Sequence, residues 1–270
     1  MKASTRRRAH GVNSPARLPA PRREWAYFFD IDGTLVDIAP SPSEIFLEHE
    51  LHRLIRRLHW SSGGALALIS GRSIVDVDSI FIGSRLPVAG QHGLERRNAR
   101  GTVSRNDDIS NQLAEARRRL GEVTARHSGL LLEDKGLSLA LHYRAAPALA
   151  SFAHRTMRDL HADIGPDYTI LSGKRVVELT RSGKDKGEAV REFMEEEPFR
   201  GRIPVFVGDD GTDEHGFRVV NARRGHSIKV GGGQTSARWR LRDVEAVRSW
   251  LERGEDEQVR APDVTSTENR

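Results

Sequence analysis

At 270 residues, 37% hydrophobic and 30% charged, the chain can bury a real core in one large or two small domains and has the composition of a soluble globular protein. Its longest apolar runs, around Trp25–Phe29 and Ala65–Ile69, are too short to cross a bilayer. Cysteine is absent, which excludes disulfides and thiolate chemistry and is compatible with a cytoplasmic location. The net charge of +5 points to a nucleic-acid partner only until it is located. Residues 1–23 carry seven basic side chains and no acid, and residues 255–270 carry five acids and two arginines. The body between them is therefore close to neutral, and the basic excess belongs to a tail.

In chain order, residues 1–23 mix Pro, Ala, Ser and Arg without period and read as a disordered basic tail. No apolar stretch follows the arginines, so the tail does not read as a secretory signal. Trp25–Phe29 is a buried strand. Ser43–Trp60 is a helix with Leu47, Leu51, Leu54, Ile55 and Leu58 on one face and Ser43 as its cap. Ala65–Ile69 and Pro87–Ala89 are further strands, ending at Ser70-Gly71-Arg72 and Gly90-Gln91-His92-Gly93. This alternation is the grammar of a parallel α/β sheet.

The texture then changes. A charged helix over Asn111–His127 precedes two strands, Leu130–Asp134 and Leu137–Tyr143, joined at Lys135-Gly136. Pro147 opens another helix, followed by strands Tyr168–Leu171 and Arg175–Leu179 around Ser172-Gly173. Helix, strand, strand, twice over, describes an α+β insert. Parallel grammar resumes with a helix over Lys186–Glu196, a strand over Ile203–Val207 and a helix over Thr212–Asn221. A strand over Ser227–Val230 and a helix over Val244–Arg253 complete it. The fold class is α/β: a Rossmann-like parallel core, residues 24–103 and 182–254, interrupted by a cap over residues 104–181. Residues 255–270 read as a loose polar tail.

Ligands of an open parallel sheet sit beyond the carboxyl ends of its strands. There the sequence places Asp30, Asp32 and Thr34, then Ser70 and Arg72, then Asp209, Asp210 and Asp213. Converging carboxylates repel and raise one another's pKa values, a conflict that a bound cation removes. Oxygen-only ligands favour a hard ion such as Mg²⁺, without separating it from Mn²⁺. Asp30 and Asp32 read either as a metal ligand plus an acid or as a nucleophile with its general acid/base partner. In that second reading Gly33 permits a turn that wraps backbone N–H groups around a phosphate, and Thr34 adds a hydroxyl donor. Lys186, at a helix start, can neutralise charge on a transferred phosphoryl group, although Lys184 lies two residues away. Glu133 and Lys135 alternate along one strand and form either its wet face or, joined by Glu178 if the hairpins pair, a face for sugar hydroxyls.

Asp30-Ile31-Asp32-Gly33-Thr34, Ser70, Lys186 and Gly208-Asp209-Asp210 together resemble the four motifs of the haloacid-dehalogenase-type phosphohydrolases, with an insert like that superfamily's larger cap class. Glu133-Asp134-Lys135, His142-Tyr143-Arg144, Gly173 to Glu178 and Gly208 to Glu214 narrow the resemblance to the trehalose-6-phosphate phosphatase family, over about Trp25 to Leu251. The resemblance implies that Asp30 is the nucleophile, Asp32 the acid/base and Lys186 a catalytic phosphate ligand. It implies Mg²⁺ on the Asp30 side chain, the Asp32 carbonyl and Asp209, with Asp210 and Asp213 supporting it. Thr34, Ser70, Gly71, Arg72, His92, Glu133, Lys135, Arg144 and Glu178 would bind substrate.

The expectation is a cytoplasmic, Mg²⁺-dependent phosphatase acting on a small sugar phosphate. It would work as a monomer, away from membranes and without a nucleic-acid partner. The rival substrates are sucrose phosphate and mannosyl phosphoglycerate. The rival of another class is a non-catalytic protein that grips nucleic acid with its basic arm, which the intact acid set opposes.

Overall fold

The computed structural model describes residues 18–38, 48–105 and 111–260, the last six as backbone only. The first half of the chain gives β1 (Trp25–Phe29), α1 (His49–Ser61), β2 (Leu66–Ile69), α2 (Ile74–Ile80), β3 (Val88–Gly90), β4 (Glu95–Arg97) and β5 (Val103–Arg105). There follow α3 (Asn111–Arg126), β6 (Leu131–Asp134), β7 (Leu139–His142), α4 (Ala150–Ile164), β8 (Tyr168–Gly173) and β9 (Val176–Arg181). The chain closes with α5 (Lys186–Met194), β10 (Ile203–Gly208), α6 (Asp213–Ala222), β11 (His226–Val230), β12 (Trp239–Leu241) and α7 (Val244–Arg260).

One sheet has eight strands in the order β12-β11-β10-β1-β2-β3-β4-β5. The six from β12 to β3 are parallel, and β4 and β5 are added antiparallel. Because its strands are buried on both faces, β1 reads WAYFF rather than alternating. Trp25, Tyr27 and Phe29 pack with α1, α2 and α7 on one side. Ala26 and Phe28 pack with α5 and α6 on the other. The result is a three-layer sandwich.

The second sheet, β6-β7-β9-β8, is antiparallel. Its Leu139, Leu141, Val177 and Leu179 meet Leu113, Ala116 and Leu120 of α3 and Met157 and Leu160 of α4 in a separate core. The register Glu133↔Ala140↔Glu178 leaves the opposite face to polar groups. The two hairpins therefore do pair, through β7 and β9.

Several expectations are corrected. The basic tail does not reach residue 23: Leu18 and Ala20 are buried, and Trp250 Nε1 donates to the Pro19 carbonyl at 2.8 Å; residues 1–17 lie outside the described set. The described helix starts at His49, with Glu48 as its uncapped N-cap residue, and Ser43 and Leu47 lie outside the described residues. The helix α7 runs past residue 253 to Arg260, because Glu, Gln and Arg are good helix formers. The turn of the second hairpin is Lys174-Arg175 rather than Ser172-Gly173, with Arg175 at φ 64°. The elements β4, β5, β12 and α2 went unread, although α2 opens on a Ser73–Asp76 capping box.

Candidate active site

From β1 the connections step outward through β2 to β3, and from β10 through β11 to β12 in the other direction. The strand order thus reverses between β1 and β10, which is where an open α/β sheet has its binding crevice. Asp30 follows β1, its N–H on the Val207 carbonyl at 2.9 Å. Asp209 follows β10. Carboxylate oxygens of Asp30, Asp209 and Asp213 lie within 4.8 Å of one another, all three residues buried.

Burial pushes the Asp30 carboxyl well above the usual carboxylate range, with Lys186 opposing it. Burial likewise raises Asp209, and it lifts Asp213 to about 7. Asp210 is the exception. Burial works against its charge, but Lys186 and the hydrogen bonds from Thr212 hold it at about 2. An all-oxygen cluster in mutual repulsion fits a hard divalent cation. Asp30 and Asp209 would supply the carboxylates. Both Asp213 oxygens are already engaged: Oδ1 accepts from Lys186 Nζ at 2.7 Å, and Oδ2 from the N–H groups of Asp209 and Asp210 at 2.8 and 2.9 Å.

Lys186 is the first residue of α5, whose N-cap Asp185 accepts from the Glu188 N–H at 2.8 Å. Its Nζ lies 3.0 Å from Asp30 Oδ1. Burial opposes the ammonium, yet Asp213 and Asp30 raise it well above the ordinary lysine range, so it remains a fixed positive charge. Lys184 pairs instead with Glu192. Asp32 turns from the acid cluster to Arg72, whose guanidinium grips both its oxygens at 2.7 and 2.8 Å. Gly33, at φ 80°, accommodates a side chain only if the Asp209 carboxylate moves: a Cβ there would lie 2.3 Å from Asp209 Oδ2.

Two expectations about this turn are corrected. The N–H groups of Gly33 and Thr34 are taken by the Val36 and Ile31 carbonyls, so they do not face a phosphate. Thr34 is buried beneath the cleft and outside its lining. Asp213 also lies outside the lining.

The polar face of the four-stranded sheet closes the other side of a cleft of about 230 Å³. Into it the structure brings Asp30, Asp32, Ser70, Gly71, Arg72, His92, Glu133, Lys135, Arg144, Glu178, Lys186, Asp209 and Asp210. Lys135 Nζ donates to Glu178 at 2.8 Å, Ser138 Oγ donates to the other Glu178 oxygen at 2.7 Å, and His92 Nε2 is 3.5 Å away. Burial disfavours the Glu178 charge, but Lys135 and His92 outweigh it and hold the carboxyl well below its usual range. His142 Nε2 lies 2.7 Å from Glu133.

Sequence reasoning gave no role to His142, which lines the cleft, or to Lys174, which reaches from the β8–β9 turn to the Asp209 carboxylate. The one available signal for Lys174 was a cation beside Gly173 in a tight turn. Together the arrangement offers a buried carboxylate beside a fixed cation, a second carboxylate on an arginine fork, and opposing donors and acceptors suited to hydroxyls. That set can perform phosphoryl transfer from a hydroxylated substrate.

The family model described as trehalose-phosphatase matches residues 28–245. The chain is 44% identical over 241 residues to trehalose-6-phosphate phosphatase of Escherichia coli (strain K12), covering 87% of this chain and 88% of that protein. It is 38% identical over 223 residues to a probable trehalose-phosphate phosphatase of Sinorhizobium fredii, covering 83% and 84%. Among solved structures, the C-terminal domain of C. albicans trehalose-6-phosphate phosphatase matches with a TM-score of 0.78 at 20% identity, over 87% of this chain and 93% of that one. A haloacid dehalogenase-like hydrolase from Bacteroides thetaiotaomicron matches at 0.61 and 15%, over 84% and 98%, and shares the α/β fold.

Proposed function

The chain belongs to the trehalose-phosphatase family, a family of phosphatases, and from that premise we propose that it hydrolyses trehalose 6-phosphate to trehalose and phosphate with Mg²⁺ as cofactor. The observation that carries the reading is the pairing of Asp30 with Lys186 at 3.0 Å on one wall of a cleft whose other wall holds the buried Glu178–Lys135 pair. Bound Mg²⁺ would supply positive charge for the phosphoryl oxygens, held by Asp30 and Asp209 with Asp210 and Asp213 supporting the loop.

The protein's own side chains do the rest. Lys186 opposes the protonation that burial favours at Asp30, and in its anionic form an Asp30 oxygen can attack phosphorus as the phosphorus–sugar oxygen bond breaks. Asp32 gives its proton to the departing sugar oxygen, for which one of its oxygens must swing off the Arg72 fork. Asp32 then takes a proton from water as that water attacks phosphorus and the aspartyl bond breaks. Ser70 and Lys186 hold the phosphoryl oxygens. Glu133, Lys135, Arg144 and Glu178, with Gly71 and His92 on the opposite wall, face the sugar hydroxyls, and a substrate lacking those hydroxyls forgoes the hydrogen bonds these groups offer.

The same reading takes residues 24–103 and 182–254 as core and 104–181 as cap, with the core extended back to Leu18 and on to Arg105 at the end of β5, and two sheets with separate apolar clusters support the division. It also places a monomer in the cytoplasm, which sedimentation and cell fractionation test. No described helix is long and apolar enough to cross a membrane. The deciding experiment is phosphate release from trehalose 6-phosphate, with and without Mg²⁺, beside sucrose 6-phosphate and glucose 6-phosphate. Preference for the monosaccharide overturns the substrate. Full activity in Asp30→Asn overturns the nucleophile.

A further inference from the structure

Only four described residues other than glycine have positive φ, and two of them are consecutive: Gln91 at 47° and His92 at 58°, followed by Gly93 at 103°. Three successive left-handed residues at the end of β3 are a strained arrangement that persists only where its surroundings hold it. Both side chains are buried.

The main chain of this turn faces the Ser70–Arg72 loop. Gln91 N–H donates to the Arg72 carbonyl at 2.8 Å and His92 N–H to the Ser70 carbonyl at 3.0 Å. The ring of His92 covers Gly71 so closely that a Cβ there would meet Nε2 at 2.8 Å. The side chains face the four-stranded sheet. Ser138 Oγ lies 3.4 Å from Gln91 Oε1, and His92 Nε2 lies 3.5 Å from Glu178. One kinked turn thus holds the phosphate-side loop with its backbone and the sugar-side sheet with its side chains.

We propose that Gln91 and His92 are positioning residues that couple the two walls of the cleft, so that seating of the four-stranded sheet on its sugar and alignment of the Ser70–Arg72 loop for phosphate are a single event. The left-handed backbone is the part that sets the loop, and the Gln91 amide is part of the link to the sheet. Coupling of this kind favours a substrate that fills both walls over one that offers a phosphate alone. The inference rests on the trehalose 6-phosphate reading given above.

Gln91→Gly and Gln91→Val separate the two halves, because glycine accepts the left-handed backbone and a β-branched residue does not. Activity is read on trehalose 6-phosphate and on p-nitrophenyl phosphate, and amide hydrogen exchange is read over residues 70–72, with thermal unfolding as the control for folding. In Gln91→Gly the loop should exchange as in the wild type. The preference for the sugar phosphate should fall by about tenfold, the scale of one lost side-chain contact. In Gln91→Val, exchange at the loop should accelerate and both activities should fall together.

A Gln91→Gly protein with unchanged substrate preference overturns the link to the sheet. Slow loop exchange in a folded Gln91→Val protein overturns the backbone role. If Gln91→Val does not fold, Gln91→Gly alone still decides: faster loop exchange there, with φ freely allowed, overturns the backbone role. If the wild type leaves trehalose 6-phosphate untouched, the substrate assignment falls while the exchange comparison still judges the turn.

Discussion

Replacing Lys186 with methionine removes a charge that touches both Asp30 and Asp213. The ammonium sits 3.0 Å from the first and 2.7 Å from the second, with side-chain exposures of 2%, 6% and 0% for Lys186, Asp30 and Asp213. Methionine fills much the same volume, so the cost is electrostatic rather than a cavity. Deleting one partner of a buried ion pair costs about 3–5 kcal/mol, a large part of a typical stability of roughly 5–15 kcal/mol. The two contacts do not double this cost, because the stranded carboxyls can share a proton. For a domain of this size the loss corresponds to a fall in Tm of about 6–20 °C.

The sign of the pH dependence follows. Without Lys186 both acids have folded pKa values still further above their unfolded ones. The folded state then binds protons more tightly than the unfolded chain, so the deficit against the wild type shrinks as pH falls. Urea unfolding followed by circular dichroism, in chelator, at neutral and mildly acid pH, measures this. A loss at neutral pH below about 1 kcal/mol, the worth of an exposed pair, would refute the view that this charge is what the buried acids depend on.

Saturating Mg²⁺, at about a hundred times its Kd, should stabilise the wild type by about 2.7 kcal/mol, and Asp209→Asn should abolish most of that gain in the same melts. Gly33→Ala should cost about 1–2 kcal/mol for its left-handed backbone and displace the Asp209 carboxylate, so that Mg²⁺ no longer raises the Tm. Glu178 has its folded pKa depressed, so it contributes stability above its unfolded value of about 4.3 that is lost as pH falls below it. Glu178→Gln should flatten that acid limb of the urea midpoint, and an unchanged limb would count against the buried pair.

The strands that carry the site were legible because burial on both faces writes them as apolar runs, as in Trp25–Phe29 and Ile203–Gly208. The strand β4 was not, because its Glu95-Arg96-Arg97 looks like surface. Yet Glu95 is buried, accepting from the Ile74 N–H at 2.5 Å, and Arg97 is buried on Asp78 at 2.6 Å. Buried charge of this sort leaves no trace in hydropathy, since its partner lies far off in sequence. Lys174 is exposed, and what hid it was only the distance to its partner, since Asp209 is 35 residues away. Leu18 and Ala20 were lost among prolines and arginines because contact with the helix α7, over 220 residues on, is what buries that stretch. The acids at the strand ends, by contrast, were readable because local order alone brings them to one edge.

The flanks of the eight-stranded sheet have a consequence for how the molecule meets its own copies. Among the described residues, each outermost strand, β5 at one flank and β12 at the other, is three residues long, about 10 Å of edge backbone. Arg105 on the first reaches inward to Glu95 at 3.2 Å, and Arg240 on the second folds over the carbonyl of Gly233 at 2.8 Å. A neighbour seeking to extend the ladder finds a short template guarded by guanidinium groups, so crowding should not zip these molecules together strand to strand.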